Sequence, residues 1–132
     1  MTKVTLTERE YEVMQILWKN GKPMLASEVN RALNIASGNS THHLLNRLME
    51  KGVVKVAGNI KIVKAQSRLY APTYSAAEYM ALLSSELYKA IGGEIDVKTY
   101  LLFLAKKNKN KNTEILNAAK EFVEEIKKEA NN

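Results

Sequence analysis

Two copies of one four-residue pattern fix where helices must begin in this chain. Thr7-Glu8-Arg9-Glu10 and Ser75-Ala76-Ala77-Glu78 each place a hydroxyl three residues before a glutamate. In such a capping box the hydroxyl accepts from the third helical amide, and the carboxylate accepts from the cap amide. Two orphan donors are thereby satisfied together. After the first box, Tyr11, Met14, Leu17 and Trp18 recur at helical spacing, with Val13 and Ile16 widening the apolar face. Gly21 stops this helix and Pro23 prevents its continuation. Lys22 to Leu25 reads as a short extended piece. Ser27 is expected to cap a second short helix with Val29, Ala32 and Leu33 as its apolar positions.

Asn34 to Asn39 reads as a turn, with Ser37-Gly38-Asn39 as its breaker, and a third helix is expected from Asn39 to Lys51, ending at Gly52. Steps of about 100° per residue put Thr41, Leu44, Leu45 and Leu48 inward. Asn39, His43 and Asn46 then face outward, flanked by Ser40, His42 and Arg47. Beyond Gly52, Val53, Val54 and Val56 predict a strand and Gly58-Asn59 a turn. Ile60, Ile62 and Val63 continue extended, and Arg68-Leu69-Tyr70-Ala71 returns as a strand before Pro72. Three helices followed by a β-hairpin is the order of a winged helix-turn-helix domain. The expected fold is therefore mainly α with a small β-hairpin wing, followed by a helical region.

That helical region opens at the second box. Its first helix carries Tyr79, Leu82, Leu83, Leu87 and Ile91 and stops at Gly92-Gly93. Asp96 caps the next, which carries Tyr100, Leu101, Phe103 and Leu104. A Lys/Asn linker from Lys106 to Lys111 leads to a last helix starting at Thr113, with Ile115, Ala119, Phe122, Val123 and Ile126 on one face. These residues are too apolar for an appendage that touches nothing, so a second copy of the chain is the expected partner. Tyr79, Leu83, Leu87, Tyr100, Leu101, Leu104, Phe122, Val123 and Ile126 are the candidate dimerisation residues. The domain division expected is 1–74 and 75–132.

Charge separates the two parts. The chain carries a net +6, and residues 1–74 hold 11 Lys/Arg against 5 Asp/Glu, whereas residues 75–132 hold 9 of each. Within residues 40–74, six basic side chains face Glu50 alone. A basic part joined to a neutral one points to a polyanion-binding unit with an attached unit for another task. A major groove admits one α-helix, and base edges are read by Arg, Asn, Ser and sometimes His. Asn39, Ser40, His42, His43, Asn46 and Arg47 are thus candidate base or phosphate contacts. Lys55, Lys61, Lys64 and Arg68 are candidate phosphate contacts from the wing. The same basic surface also suits an acidic protein partner, the alternative reading.

Other classes fall away. Cysteine is absent, which removes disulfides, thiol nucleophiles and Cys-based metal sites. His42 and His43 are the only histidines, and neighbours on a helix diverge by about 100°, so they do not converge on a metal. No nucleophile elbow, P-loop, H-E-x-x-H or dinucleotide signature occurs, and Asp96 is the sole aspartate. No catalytic residue, metal or cofactor is expected. No apolar run nears the ~20 residues that span a bilayer. The first ten residues lack an apolar signal core, so no membrane insertion and a cytoplasmic location are expected.

Four blocks together carry a family resemblance. Leu6-Thr7-Glu8-Arg9-Glu10-Tyr11-Glu12-Val13-Met14-Gln15-Ile16-Leu17-Trp18 resembles the opening helix of the penicillinase and methicillin-resistance repressors, a family that includes copper-responsive repressors. Leu44-Leu45-Asn46-Arg47-Leu48-Met49-Glu50-Lys51-Gly52 is similar to the end of its recognition helix. Arg68-Leu69-Tyr70-Ala71-Pro72 resembles its second wing strand, and Ser75-Ala76-Ala77-Glu78-Tyr79 the start of its dimerisation region. The resemblance implies a homodimeric transcriptional repressor that binds a double-stranded operator through winged-helix domains. It also implies relief by proteolysis downstream of a membrane sensor, or by metal exchange at cysteines. The missing cysteines argue against the second route. For the first, the family's Asn-Phe cleavage position corresponds to Leu102-Phe103, which lacks the Asn. The segment between Gly58 and Arg68 is longer than the usual family wing.

Overall fold

The computed structural model describes residues 5–35, 38–94 and 96–132. Helix α1 spans Glu8–Asn20 and β1 is the short strand Met24–Leu25; α2 spans Ala26–Leu33 and α3 spans Gly38–Glu50. Strands β2, Val54–Ile62, and β3, Ala65–Pro72, form the wing. Helices α4, Ala76–Ala90, α5, Val97–Lys107, and α6, Asn112–Ala130, follow, with one 3₁₀ turn at Lys109–Lys111 before α6. The sheet is antiparallel in the order β1-β3-β2. The architecture is a winged helix followed by a helical region, as the sequence predicts.

Both capping boxes form. The Thr7 hydroxyl accepts from the Glu10 amide at 3.2 Å while the Glu10 carboxylate accepts from the Thr7 amide at 2.8 Å. Ser75 and Glu78 reproduce this at 3.1 and 2.8 Å, and those hydrogen bonds hold the Glu78 carboxyl below its usual range. Gly21 ends α1 at φ +74°, a left-handed conformation that suits glycine. Asp96 caps α5 by accepting from the Thr99 amide at 3.1 Å.

Three expectations shift. Helix α2 starts before Ser27: Leu25 is its cap residue, and the Glu28 carboxylate accepts from the Leu25 amide at 2.9 Å. The glutamate reaches back to the cap amide, and Leu25 has no side-chain oxygen to accept from a first-turn amide, so Ser27 is not the cap. Gly38 and Asn39 belong to α3 rather than to a breaker, and Ser37 lies outside the described residues. Gly58-Asn59 is not a turn. Strand β2 runs through it, with the register slipping by one residue between Val56 and Gly58, so Ala57 has no opposite number. A bulge absorbs the glycine, and the chain reverses later, at Val63-Lys64.

The first core joins α1, α2, α3 and the sheet through Val13, Met14, Leu17, Val29, Leu44, Leu45, Leu48, Val53 and Tyr70. Tyr79 of α4 is 1% exposed and belongs to this core. Its hydroxyl lies 3.1 Å from that of Tyr11, and its ring sits 5.7 Å from Trp18. The Trp18 indole donates to the Tyr74 carbonyl at 2.9 Å. Burial, then the Tyr11 hydrogen bond, holds the Tyr79 hydroxyl well above the usual phenol range. The chain divides into two compact units after Gly93. Helix α4, expected in the dimerisation segment, thus packs its opening turns on the winged helix.

Glu10 is 0% exposed, and its Oε1 also accepts from Lys51 Nζ at 2.7 Å. Lys51 donates to the Thr5 carbonyl at 2.9 Å as well. Burial pushes the Glu10 carboxyl up, but the Lys51 and Thr7 hydrogen bonds outweigh it and the net shift is downward. A lowered carboxyl stabilises the fold above its unfolded value and loses that contribution as pH falls through the folded value. Lys51→Met strands a buried carboxylate and should cost about 3 kcal/mol at neutral pH. In urea melts, the gap between variant and wild type should narrow as pH falls through the lowered folded value of wild-type Glu10, below which the carboxyl is neutral in both. A gap independent of pH would show that the pair contributes nothing through charge.

Candidate nucleic-acid interface

Helix α3 splits into two faces as its 3.6-residue period demands. Thr41, Leu44, Leu45 and Leu48 are buried. The Thr41 hydroxyl donates to Asn30 Oδ1 at 2.5 Å, and Asn30 Nδ2 donates to the Ile35 carbonyl at 3.1 Å. These bonds set α3 against α2. On the far side, Asn39, Ser40, His42, His43, Asn46 and Arg47 are all exposed. Among the described residues none of these side chains makes a hydrogen bond or ion pair. Arg47 in particular is not tied to Glu50. The face consists of donors and acceptors with nothing in the unit to receive them.

Hollows flank α3 on both sides. One, of about 480 Å³, lies between His42 and Asn46 of α3 and Gln66, Ser67 and Arg68 of the wing, with Leu25, Ala26 and Ser27 along it. A neighbouring hollow of about 410 Å³ shares His42 and Ser27 and adds Asn30 and Arg31. On the opposite flank, a hollow of about 510 Å³ lies between Ser40, His43 and Arg47 and the start of α1 at Thr7 and Arg9. Helix α3 is therefore a ridge between two troughs whose outer walls carry Arg68 on one side and Arg9 on the other. Arg9 pairs with Glu12 at 2.8 Å, but both are exposed, so the pair holds Arg9 only weakly.

The bulge at Ala57 decides which wing residues join this surface. A one-residue slip moves every later side chain to the other face of a strand. Beyond the bulge, Asn59 pairs with Arg68 and Lys61 with Gln66, so these four share one face of the hairpin with Tyr70, and Arg68 and Gln66 line the trough beside α3 together with Ser67 and Ile62. Without the slip, Ile60 would stand opposite Gln66 in place of Lys61. Lys55 pairs with Ala71 before the bulge and points to the opposite face. There it lines a separate hollow of about 540 Å³ with Trp18, Lys22, Pro23 and Pro72. The sequence grouped Lys55 with Lys61, Lys64 and Arg68; the structure parts it from them. Lys64 stands at the hairpin turn, exposed.

Gln66, Ser67, Ser27, Arg31 and Arg9 line the troughs and were missed in the sequence. By sequence Ser27 reads as a helix cap, and neither Arg31 nor Arg9 has a sequence signal placing it beside α3. Among the described residues no cluster of His, Asp and Glu could hold a metal ion.

The candidate dimerisation residues fall into two groups. Tyr79 is buried in the first core, and Leu83 packs against it, which removes Tyr79 from any surface. Leu87, Leu101, Leu104, Phe122, Val123 and Ile126 are exposed, and Tyr100 is half-buried. None of the described residues of α5 or α6 is buried.

A helix-turn-helix with a hairpin wing and an appended helical segment defines a winged-helix regulator. Residues 6–125 match the penicillinase repressor family. The chain belongs to that family, one of transcriptional repressors. No curated protein matches the sequence. Among the described residues no helix is long and apolar enough to cross a membrane.

The exposed face of α3 has no part in folding, and this is testable. Alanine at Asn39, His43, Asn46 or Arg47 should change stability by less than about 0.5 kcal/mol. Thr41→Val should cost about 1–2 kcal/mol by leaving Asn30 Oδ1 unpaired. Thermal melts of this set distinguish a surface kept for a ligand from one kept for the fold.

Proposed function

We propose that the chain is a homodimeric, sequence-specific DNA-binding repressor, with residues 1–74 reading the operator and residues 75–132 joining two copies. Helix α3 enters the major groove, and the wing and the start of α1 hold the phosphates on either side. One observation carries this reading: an unpartnered polar face on a ridge between two troughs walled by arginines. A duplex presents the complement, a groove between two anionic ridges. Arg47 and Asn46 suit guanine and adenine edges. Lys61, Lys64 and Arg68 act on phosphates, which position the protein without reading sequence.

Pairing of two copies rests on the second unit. A helical segment with no buried residue gains nothing from its own apolar side chains, and Phe122 is 54% exposed. Covering Leu101, Leu104, Phe122, Val123 and Ile126 with the same surface of a second copy removes them from water. It also makes the second half-site contact intramolecular.

Three measurements test the proposal. With roughly six to eight phosphates neutralised per dimer, log K should fall against log salt with a slope of about −5 to −7. A salt-insensitive affinity removes the groove assignment. Arg47→Ala should lose about 1–3 kcal/mol and blur the choice between duplexes, whereas Lys61→Ala should weaken all duplexes alike. Replacing Phe122 and Ile126 with Asp should shift sedimentation toward monomer and weaken operator binding, at a cost of several kcal/mol in the dimer. The N-terminal unit should stay folded. A wild-type monomer that binds its operator tightly contradicts the dimer.

A further inference from the structure

We infer that the wing tip is an apolar wedge, with Val63 entering the minor groove beside the major-groove site. This rests on the DNA-binding reading above and extends it to a residue that no charge argument selects. Val63 occupies the first position of a two-residue hairpin loop, since Ile62 and Ala65 form the last pair of the ladder. Its φ is +56°. Hairpin loops of this length with a left-handed first position call for Gly, Asn or Asp. A β-branched residue there is strained, because its side chain crowds the backbone. The side chain is also 87% exposed, so the fold gains no packing from it. Glycine would serve the turn better in both respects. A strained outlier that does not help the fold points to a use outside it.

The surroundings of the tip select the occupant. Residues 52–74 contain no carboxylate, and Lys61, Lys64 and Arg68 flank the loop. A valine ringed by cations suits an anionic surface with an apolar interior, which describes a minor groove with its sugar walls and base steps between phosphates. Apolar side chains inserted there part base steps and bend the duplex. Position agrees. Ile62 and Gln66 line the same trough as His42 and Asn46, so the hairpin runs out alongside α3. From Leu69, where pairing with β1 ends, the hairpin continues to Lys64. That is a reach of roughly 16 Å at about 3.3 Å per residue. The major groove is about 12 Å wide, so this reach carries the tip past its bordering phosphates to the minor groove, whose width of about 6 Å admits one valine.

The test compares Val63→Gly and Val63→Asn with wild type, both being residues that the loop geometry favours. Each variant should melt at or above the wild-type temperature, with Trp18 fluorescence as the readout of the fold. Operator affinity should fall about tenfold, the loss expected for one buried valine side chain. The bend of the duplex, read by energy transfer between its ends, should decrease. The salt slope should stay unchanged, because no phosphate contact is lost, in contrast to Lys64→Ala. Affinity and bend within twofold of wild type overturn the wedge while leaving the DNA-binding reading intact. A wild-type chain that binds no duplex overturns both. A variant with altered sedimentation in the absence of DNA and unchanged duplex affinity assigns the tip to a protein contact and overturns the wedge.

Discussion

Glu10 ties together two parts of the winged helix that the chain separates widely. Its carboxylate completes the cap of α1 through the Thr7 amide and, with the same oxygen, accepts from Lys51 just beyond α3. Lys51 in turn reaches the Thr5 carbonyl, closing a small polar knot at the edge of an apolar core. A buried charge is tolerable only where its partners are fixed, so the knot demands one placement of the end of α3 against the start of α1. Thr41 and Asn30 fix the beginning of α3 against α2 in the same manner. With both ends held by polar contacts and the middle by leucines, the outer face of α3 has no structural duty. That freedom lets it carry amides, imidazoles and a guanidinium that face solvent.

The wing adds a second condition. A regular hairpin would set Ile60, and not Lys61, opposite Gln66 on the face of Tyr70. The extra residue at Ala57 reverses this beyond the bulge while leaving Tyr70 and Val54 buried below it. One inserted residue thus lets a single hairpin serve the core at its base and a polar trough at its outer end. The same slip leaves Lys55 on the other face, so the basic excess of the N-terminal part is divided between two surfaces.

The second unit behaves differently. In the first unit, Tyr11, Trp18 and Tyr79 seat the opening of α4 against α1, and the indole bond to Tyr74 fixes the chain that leads into it. Beyond Gly93 the described helices bury nothing. Their caps and periodicity are sound, yet periodicity only gathers apolar residues onto one face; it supplies no surface to cover them. A short helical segment of this kind has little core of its own to stabilise it. Helix α4 is fixed at its start through Tyr79 and exposed toward its end at Leu87 and Ile91.

Local chemistry settled much of this protein from sequence alone. Helix starts at Thr7, Ser75 and Asp96 follow from side chains meeting amides within three residues. The inward set of α3 follows from its period, which fixes angles without reference to any neighbour. The family, too, is legible in short blocks of residues. Tertiary structure decided what depends on residues far apart in the chain. Gly58-Asn59 has the composition of a turn, but pairing with β3 holds it in a strand and moves the reversal to Val63-Lys64. Tyr79 has the spacing of a dimer contact, but Tyr11 and Trp18 lie close enough to bury it. Ser27, Arg31 and Arg9 join the surface around α3 only because the helices cross as they do. Side-chain period and capping act over a few residues, whereas burial, register and the company a side chain keeps are properties of the packed whole.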